Sequence, residues 1–220
     1  MNLLTRPLVR SSLARKYVMA LTGFVLIVFV LGHMAGNLLI FAGPTPLNHY
    51  AEMLKGNPAL LWTARLGLLV AFLLHIDLGI HLALENAAAR PVPYVCDRPI
   101  VSSWASRHML LTGLVILAFL LFHLAHFTWG VVQPDTYDKE DVYNMSIAAY
   151  KTWWITGTYL VAQVMLFLHL WHGASSWFQS LGLNHPRYNC CIRGFGPCFA
   201  TLILIGNCSI PLSVAFGIIR

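Results

Sequence analysis

Five long apolar stretches, separated by shorter polar segments, make up most of this chain. They cover residues 17–41, 61–84, 108–131, 153–180 and 196–219. Each is long enough to cross the hydrocarbon core of a bilayer, which takes about 20 residues of α-helix. Apolar residues run on continuously instead of alternating with polar ones, which favours helices over strands. The pattern therefore predicts an all-α integral membrane protein with five transmembrane helices.

The composition supports the same class. Of the 220 residues, 58% are hydrophobic and only 10% are charged, which is too little charge for a soluble domain of this length. No connection is long enough for a separate soluble domain, so we expect one transmembrane domain over residues 1–220. The five cysteines form neither a CxxCH motif for covalent haem attachment nor the paired CxxC motifs of zinc sites.

Basic residues concentrate on one side of the predicted bundle. That side holds nine of them, in the N-terminal segment and the second and fourth connections: Arg6, Arg10, Arg15, Lys16, Arg90, Arg98, Arg107, Arg187 and Arg193. The opposite side holds five, and its third connection is acidic. The positive-inside rule therefore predicts a cytoplasmic N-terminus and, with five spans, an external C-terminus. We expect a multi-pass protein of the cell inner membrane. The net charge of +6 follows from this topology, and we expect no nucleic-acid binding.

Each of the first four apolar stretches contains a histidine far from its ends, namely His33, His75, His123 and His169. Ionisable side chains at that depth are costly, so they usually face the interior of a bundle and have a function. The fifth stretch has no histidine and contains Pro211. We therefore expect the first four helices to form a bundle, with the fifth packed outside it.

The depths of these histidines fall into two levels. With a helical rise of about 1.5 Å per residue, His33 and His123 lie roughly 25 Å from the cytoplasmic edge. His75 and His169 are on helices that run the other way, and lie roughly 21–24 Å from the external edge. The positions predict an outer pair, His33 with His123, and an inner pair, His75 with His169.

Two imidazoles at one height on facing helices are what bis-histidine ligation of a b-type haem requires. A flat macrocycle also needs small neighbours, and glycines lie close to the histidines at Gly32, Gly36, Gly79 and Gly173. Close helix packing is the alternative explanation for such glycines. His126 and His172 each follow a candidate ligand by three residues. We predict that His126 and His172 form hydrogen bonds with the ligands or with haem propionates. The alternative is that His126 and His172 are themselves the ligands, one helical turn after His123 and His169.

Other polar residues leave alternatives open. Asp77, His81 and Glu85 share one helix stripe, which indicates either a proton path or an intrahelical Asp–His pair. Glu52, with His49 beside it in the first external connection, is either a proton acceptor for a quinol or a solvated residue. The basic groups at the cytoplasmic edge either bind propionates or a partner, or are ordinary positive-inside flanks; they are Arg15, Lys16, Arg107 and His108.

Four motifs carry a resemblance to a known family: LGHMAGN, LLHIDLGIHLAL, LLFHLAHFTWG and HLWHGASSWF, one in each of the first four stretches. With them the chain resembles the cytochrome b membrane anchor of succinate dehydrogenases and fumarate reductases, in its single-polypeptide, five-helix, di-haem form. The resemblance runs from about Arg15 to the last stretch. It implies two haem b groups with His33, His75, His123 and His169 as axial ligands, the first helix paired with the third and the second with the fourth.

The resemblance also implies a function. The chain would be the electron-transfer and quinone-reacting subunit of a succinate:quinone oxidoreductase, or respiratory complex II, with menaquinone as the expected quinone. The dicarboxylate site would lie on a flavoprotein subunit, which joins this chain through an iron–sulfur subunit. We expect both subunits to dock on the N-terminal segment and on residues 90–107 and 182–195. Two alternatives remain open, a haem-free helical transporter or proton channel, and a di-haem anchor of another quinone-linked dehydrogenase, such as hydrogenase or formate dehydrogenase.

Overall fold

The computed structural model describes residues 11–89, 102–183 and 185–220, and these ranges contain helices and no strand. The helices are α1 (Ser12–Asn37), α2 (Pro44–Lys55), α3 (Pro58–Ala88), α4 (Trp104–Arg107), α5 (Met109–Phe127), α6 (Val142–Lys151), α7 (Trp153–Ser180) and α8 (Asn189–Ala215). Five of them, α1, α3, α5, α7 and α8, are long and apolar enough to cross a membrane. The predicted fold class is therefore confirmed. Arg6, Arg10, Arg90, Cys96 and Arg98 lie outside the described residues.

The helix ends differ from the predicted spans where polar caps or turns decide them. The fourth predicted span coincides with α7, whereas α1 and α3 begin earlier. Ser11 accepts a hydrogen bond from the backbone of Ala14, and Asn57 accepts one from Leu60, so each caps its helix. The helix α5 ends at Phe127 instead of residue 131. Beyond it the chain turns at Gly130, whose φ of +67° suits only glycine well.

Four helices form a closed ring. Going round it, α1 packs against α3, α3 against α5, α5 against α7, and α7 against α1. The pairs α1/α5 and α3/α7 therefore face each other diagonally. The helix α8 packs chiefly along α7 and also contacts α1, so it lies on the outside of the ring, and it continues through Pro197 and Pro211. The first four spans thus form the bundle, as the histidine pattern predicts.

The two connections at one end of the bundle are themselves helical, which the sequence reasoning missed. They form α2 and α6, which pack against each other. The Asn48 side chain joins them, because its Nδ2 donates to Asp141 Oδ1 (2.9 Å) and its Oδ1 accepts from the backbone N–H of Tyr143 (3.0 Å). An apolar cluster lies beneath them: Ile40, Leu47, Tyr143, Ile147, Tyr150, Ile155, Tyr159, Ile210 and Val214. We call this end the cap side, and the end where α1 begins the N-terminal side.

Candidate functional site: two histidine pairs

The ring brings the four deep histidines together as two pairs, each across a diagonal. The imidazole centres of His33 on α1 and His123 on α5 are 5.8 Å apart, with an interplanar angle of 88°. Those of His75 on α3 and His169 on α7 are 6.3 Å apart, at 63°. These are the pairs expected from their depths, called here the 33/123 pair and the 75/169 pair. Their role as haem ligands stays a prediction.

A threonine hydroxyl contacts each imidazole of the 75/169 pair. His75 Nδ1 is 3.4 Å from Thr22 Oγ1, and His169 Nδ1 is 3.1 Å from Thr112 Oγ1. Each hydroxyl donates its single hydrogen to a backbone carbonyl of its own helix, Thr22 to Val18 (2.8 Å) and Thr112 to that of residue 108 (3.0 Å). The hydroxyl oxygen therefore accepts from the Nδ1–H of the histidine. This tautomer leaves the lone pair of Nε2 available to a metal ion.

The same pair has matching close neighbours on its two sides. A Cβ placed on Gly23 would lie 3.4 Å from His75 Cε1, and one on Gly113 would lie 3.5 Å from His169 Cε1. Gly79 faces the side chain of Met19 and Gly173 that of Met109, at 3.6 and 3.9 Å from the corresponding Cβ positions. Each histidine therefore has a threonine and a glycine of a neighbouring helix beside it, and a methionine of that helix faces the glycine four residues after it.

An internal repeat in the sequence explains this symmetry. LTGFVLIVFVLGH (21–33) in α1 corresponds to LTGLVILAFLLFH (111–123) in α5, with the threonine 11 residues before the histidine in both. HIDLG (75–79) in α3 corresponds likewise to HLWHG (169–173) in α7. The helix pairs α1–α3 and α5–α7 are thus two similar units. The sequence reasoning missed Thr22 and Thr112, although this repeated spacing was the signal that could have found them.

The surroundings of the 33/123 pair are not symmetrical. Tyr159 of α7 places its hydroxyl 3.1 Å from His123 Nδ1 and 3.1 Å from His126 Nδ1. His126 is buried, and its Nε2 is 2.9 Å from Gln133 Oε1. His33 lies exposed beside Phe29, on which its ring stacks at 5.3 Å, and within the described ranges its ring forms no hydrogen bond. His126 therefore contacts its neighbouring pair through Tyr159, which is the placement expected of a hydrogen-bonding partner.

The glycines beside His33 differ in what they accommodate. A Cβ on Gly36 would meet the ring of Tyr50 from α2 at 2.5 Å, whereas one on Gly32 would meet no heavy atom within 4 Å. The expectation that both glycines make room for a macrocycle is thus wrong for Gly36, because its space is taken by a side chain of the cap side. The open space beside Gly32 remains compatible with a macrocycle.

The basic candidates on the N-terminal side have different environments. Arg15 is buried and forms an ion pair with Glu85, which joins the start of α1 to the end of α3. Its guanidinium Nε has no hydrogen-bond partner among the described residues. Arg107 lies exposed in the short helix α4. Neither side chain forms a hydrogen bond with a histidine of the two pairs.

Three further candidates lie away from the two pairs. Asp77 Oδ1 is 3.3 Å from His81 Nδ1, which matches the intrahelical pair considered above. Glu52 is on α2 with its side chain 84% exposed, 4.0 Å from His49, so the structure does not bring it to the 33/123 pair. His172 lies partly buried one turn after His169.

An apolar cleft of about 550 Å³ lies between α5 and α7 next to the 33/123 pair. Aromatic rings bound it, including Phe119, Phe122, Trp153 and Trp154. The ring of Phe119, which lines the cleft, is 5.9 Å from that of His123. Gly157 opens the cleft, because a Cβ there would meet no heavy atom within 4 Å.

The described residues contain no group of three or more His, Cys, Asp or Glu side chains that could together bind a metal ion. A two-histidine arrangement is instead what an iron held by a macrocycle needs from a protein, since the protein then supplies only axial ligands. Comparisons of the chain with protein-family models, with curated proteins and with solved structures find no match.

Proposed function

We propose that this chain is a di-haem cytochrome b of the membrane, which carries electrons between a soluble dehydrogenase and a quinone. The observation that carries the proposal is the presence of two diagonal histidine pairs, with ring centres 5.8 and 6.3 Å apart. A metal–imidazole bond is about 2.0–2.1 Å long, so two imidazoles on opposite sides of one metal ion have ring centres about 6–6.5 Å apart. The 75/169 pair lies within this range, and the 33/123 pair is shorter by a few tenths of an ångström. Both pairs would therefore hold one metal ion between two imidazoles, with a small outward movement of the rings at the 33/123 pair.

The hydrogen bonds of the pairs support the same conclusion. His75, His123 and His169 each use Nδ1 in a hydrogen bond to a hydroxyl group, which leaves Nε2 for a metal ion. A metal-binding histidine normally has its other nitrogen fixed in this way. Histidines that only pack also need hydrogen-bond partners, but here the partners leave Nε2 as the nitrogen that each of these three histidines can offer to a shared metal ion.

In the proposed mechanism the chain's residues hold two redox groups at two depths. A haem iron with two imidazole ligands, when bound, takes up and releases single electrons, at a potential set by its ligands and their hydrogen bonds. His33 and His123 would hold one group, and His75 and His169 the other. Thr22, beside His75, lies 11 residues before His33 on α1, so the two levels are roughly 16 Å apart. Together they bridge much of the roughly 30 Å hydrocarbon core.

The partners in this proposal rest on the family resemblance and on charge. The described basic residues of the N-terminal side, including Lys16, Arg107, Arg187 and Arg193, favour a cytoplasmic location for that side. The flavoprotein and iron–sulfur subunits of a succinate dehydrogenase would dock there. The quinone would react on the cap side, with its ring in the aromatic cleft between α5 and α7.

The alternative of a haem-free proton channel relies on Asp77, His81 and Glu85. These residues are engaged separately, Asp77 with His81 on the same helix and Glu85 with Arg15 on another. Their arrangement thus favours structural roles.

The haem proposal is tested by the absorbance spectrum of the purified full chain, with haem quantified against protein. We expect two low-spin b-type haems per chain, and a protein that binds no haem would overturn the proposal. The quinone site is tested by Gly157→Leu, which should fill the cleft and slow the reduction of the haems by quinol without changing haem content. Co-purification of dehydrogenase subunits identifies the soluble partner.

A further inference from the structure

A chain of hydrogen bonds leads from the third connection to His123. It runs from Thr152 to Gln133, then to His126, Tyr159 and His123. Tyr159 and His126 are both buried, and only 3% of the surface of His126 is exposed. Each step joins side chains from different elements, so the chain is a feature of the tertiary structure.

The direction of each bond follows from the orientation of the Gln133 amide. Gln133 Nε2 donates to Thr152 Oγ1 (3.1 Å), which turns its carbonyl oxygen Oε1 towards His126 Nε2 (2.9 Å). A carbonyl oxygen can only accept, so His126 Nε2 carries a hydrogen. His126 is surrounded by aromatic rings, including those of Phe122 and Phe127, where a charged imidazolium without a carboxylate partner would be costly. It is therefore the neutral Nε2–H tautomer, and its Nδ1 accepts.

This tautomer fixes the next two bonds. The hydroxyl of Tyr159 has one hydrogen, and it donates that hydrogen to His126 Nδ1 (3.1 Å). The phenolic oxygen must then accept the hydrogen of His123 Nδ1 (3.1 Å). His123 is therefore left with its lone pair on Nε2. Gln133 thus selects the tautomer of His123 across two intervening side chains.

We infer that Tyr159, His126 and Gln133 form a positioning relay, which orients His123 and increases the electron density that its imidazole gives to a metal at the 33/123 pair. This inference rests on the proposed haem function. Hydrogen bonds that point the same way along a chain strengthen one another. A phenol that donates to His126 is consequently a better acceptor for the N–H of His123, and such a bond raises the basicity of a ligand. The relay would stabilise the oxidised iron and lower the potential of the 33/123 haem.

The decisive variants change the relay and leave both ligands of the pair in place. Tyr159→Phe removes the acceptor of His123, and Gln133→Leu removes the oxygen that orients His126. Both should weaken the preference of the site for oxidised iron by about tenfold, which corresponds to a rise of about 59 mV in a one-electron potential. Gln133→Glu retains an oxygen acceptor and should keep the potential at or below that of the unchanged protein.

Tyr150→Phe is the matched control. Tyr150 packs edge-on against Tyr159 at 5.2 Å in the same apolar cluster, and its hydroxyl is not a partner of either histidine in the described part of the chain. The measurement is a redox titration of both haems, assigned by comparison with His123→Ala and His169→Ala. The control should leave both potentials unchanged, and the 75/169 haem should not respond to any relay variant.

The outcomes separate this inference from the proposed function. Absence of haem from the unchanged protein overturns the function. Two results would overturn the relay and leave the proposed function standing, provided that both haems are present. The first is an equal shift of the 33/123 potential in Gln133→Leu and Gln133→Glu. The second is an unchanged 33/123 potential in Tyr159→Phe. If Tyr159→Phe does not fold, the two Gln133 variants still decide, because Gln133 lies partly exposed in the third connection.

Discussion

The 75/169 pair and the 33/123 pair are built from the same four helices, yet their surroundings differ in kind. At the 75/169 pair each imidazole has its own threonine and its own glycine, supplied by corresponding positions of the repeated units. At the 33/123 pair only His123 has a hydrogen-bonding partner, Tyr159. The two histidines also differ in a nearby position of their own helices. Three residues after His33 the chain has Gly36, and three residues after His123 it has His126.

The comparison shows where the two similar units of the bundle differ. The 75/169 pair is surrounded by helix-to-helix contacts, which the repeat reproduces. The 33/123 pair lies beneath the cap side, where the connections differ in sequence. Gly36 admits Tyr50 from α2, while His126 reaches Tyr159 and Gln133. Different connections therefore give one site partners that the other lacks, and two haems bound at these sites would differ in potential.

Replacement of the pair histidines has the largest expected effect. His33→Ala or His123→Ala should remove the 33/123 haem, and His75→Ala or His169→Ala the other, because each change deletes an axial ligand and opens a cavity. Haem per protein should fall from two to one.

His126→Ala is the control for these variants, and it should retain both haems. Loss of a haem from His126→Ala together with its retention in His123→Ala would show that the register is wrong by one turn of helix.

The two threonines test the symmetry of the 75/169 pair. Thr22→Val and Thr112→Val each remove the acceptor of one histidine and nearly preserve side-chain volume. Loss of such a partner costs about 10–100-fold in metal affinity. The two variants should weaken haem retention at this pair to the same extent and leave the 33/123 haem in place, as measured by haem transfer to an acceptor protein.

Thr158→Val is the matched control, since this hydroxyl donates to the carbonyl of Trp154 on its own helix and contacts no histidine of the two pairs. If Thr22→Val and Thr112→Val differed by more than threefold, the two sides of the pair would not be equivalent.

The sequence predicted the features that depend on the length of an apolar run and on the depth of a residue in the membrane. The five spans follow from apolar runs, and helical rise was enough to pair His33 with His123 and His75 with His169. What it could not predict depends on long-range packing. Tyr159 reaches His123 only because α7 packs beside α5, and Arg15 meets Glu85 only because α1 packs beside α3. The helices α2 and α6 were missed because they are short and much less apolar than the five spans.

Gly36 tests the packing of the cap side. Gly36→Ala places a Cβ 2.5 Å from the ring of Tyr50, so the ring or α2 must move. Overpacking of this kind costs about 1–3 kcal/mol, and the midpoint of thermal unfolding in detergent should fall accordingly. Gly67→Ala is the control, because its Cβ would meet no heavy atom within 4 Å in the middle of α3. An equal loss of stability in both variants would mean that Tyr50 does not pack against Gly36.

Asp141 gives the smallest expected effect, confined to the contact between α6 and α2. Its carboxylate accepts hydrogen bonds from Asn48 Nδ2 (2.9 Å), from the backbone N–H of Asn144 (3.1 Å) and from Asn144 Nδ2 (2.6 Å). The side chain of Asn48, followed by Asn144, lowers the pKa of Asp141 below its usual value. Because the pKa is lower in the folded than in the unfolded protein, the charge stabilises the fold above the unfolded pKa of about 3.9. That contribution is lost as the pH falls through the lowered pKa.

Asp141→Ala should therefore cost about 1 kcal/mol at neutral pH, as loss of an N-cap does. Asp141→Asn keeps one oxygen acceptor, for Asn48 Nδ2 and the backbone N–H of Asn144, and removes the titration together with the bond from Asn144 Nδ2. Every other carboxylate is the same in the unchanged protein and in Asp141→Asn, so the difference between their unfolding midpoints isolates this residue. Between pH 5 and pH 3 the unchanged protein should lose more stability than Asp141→Asn, and both haems should be unaffected by Asp141→Asn at neutral pH. Parallel pH curves for the two proteins would show that the charge of Asp141 does not stabilise the contact between α2 and α6.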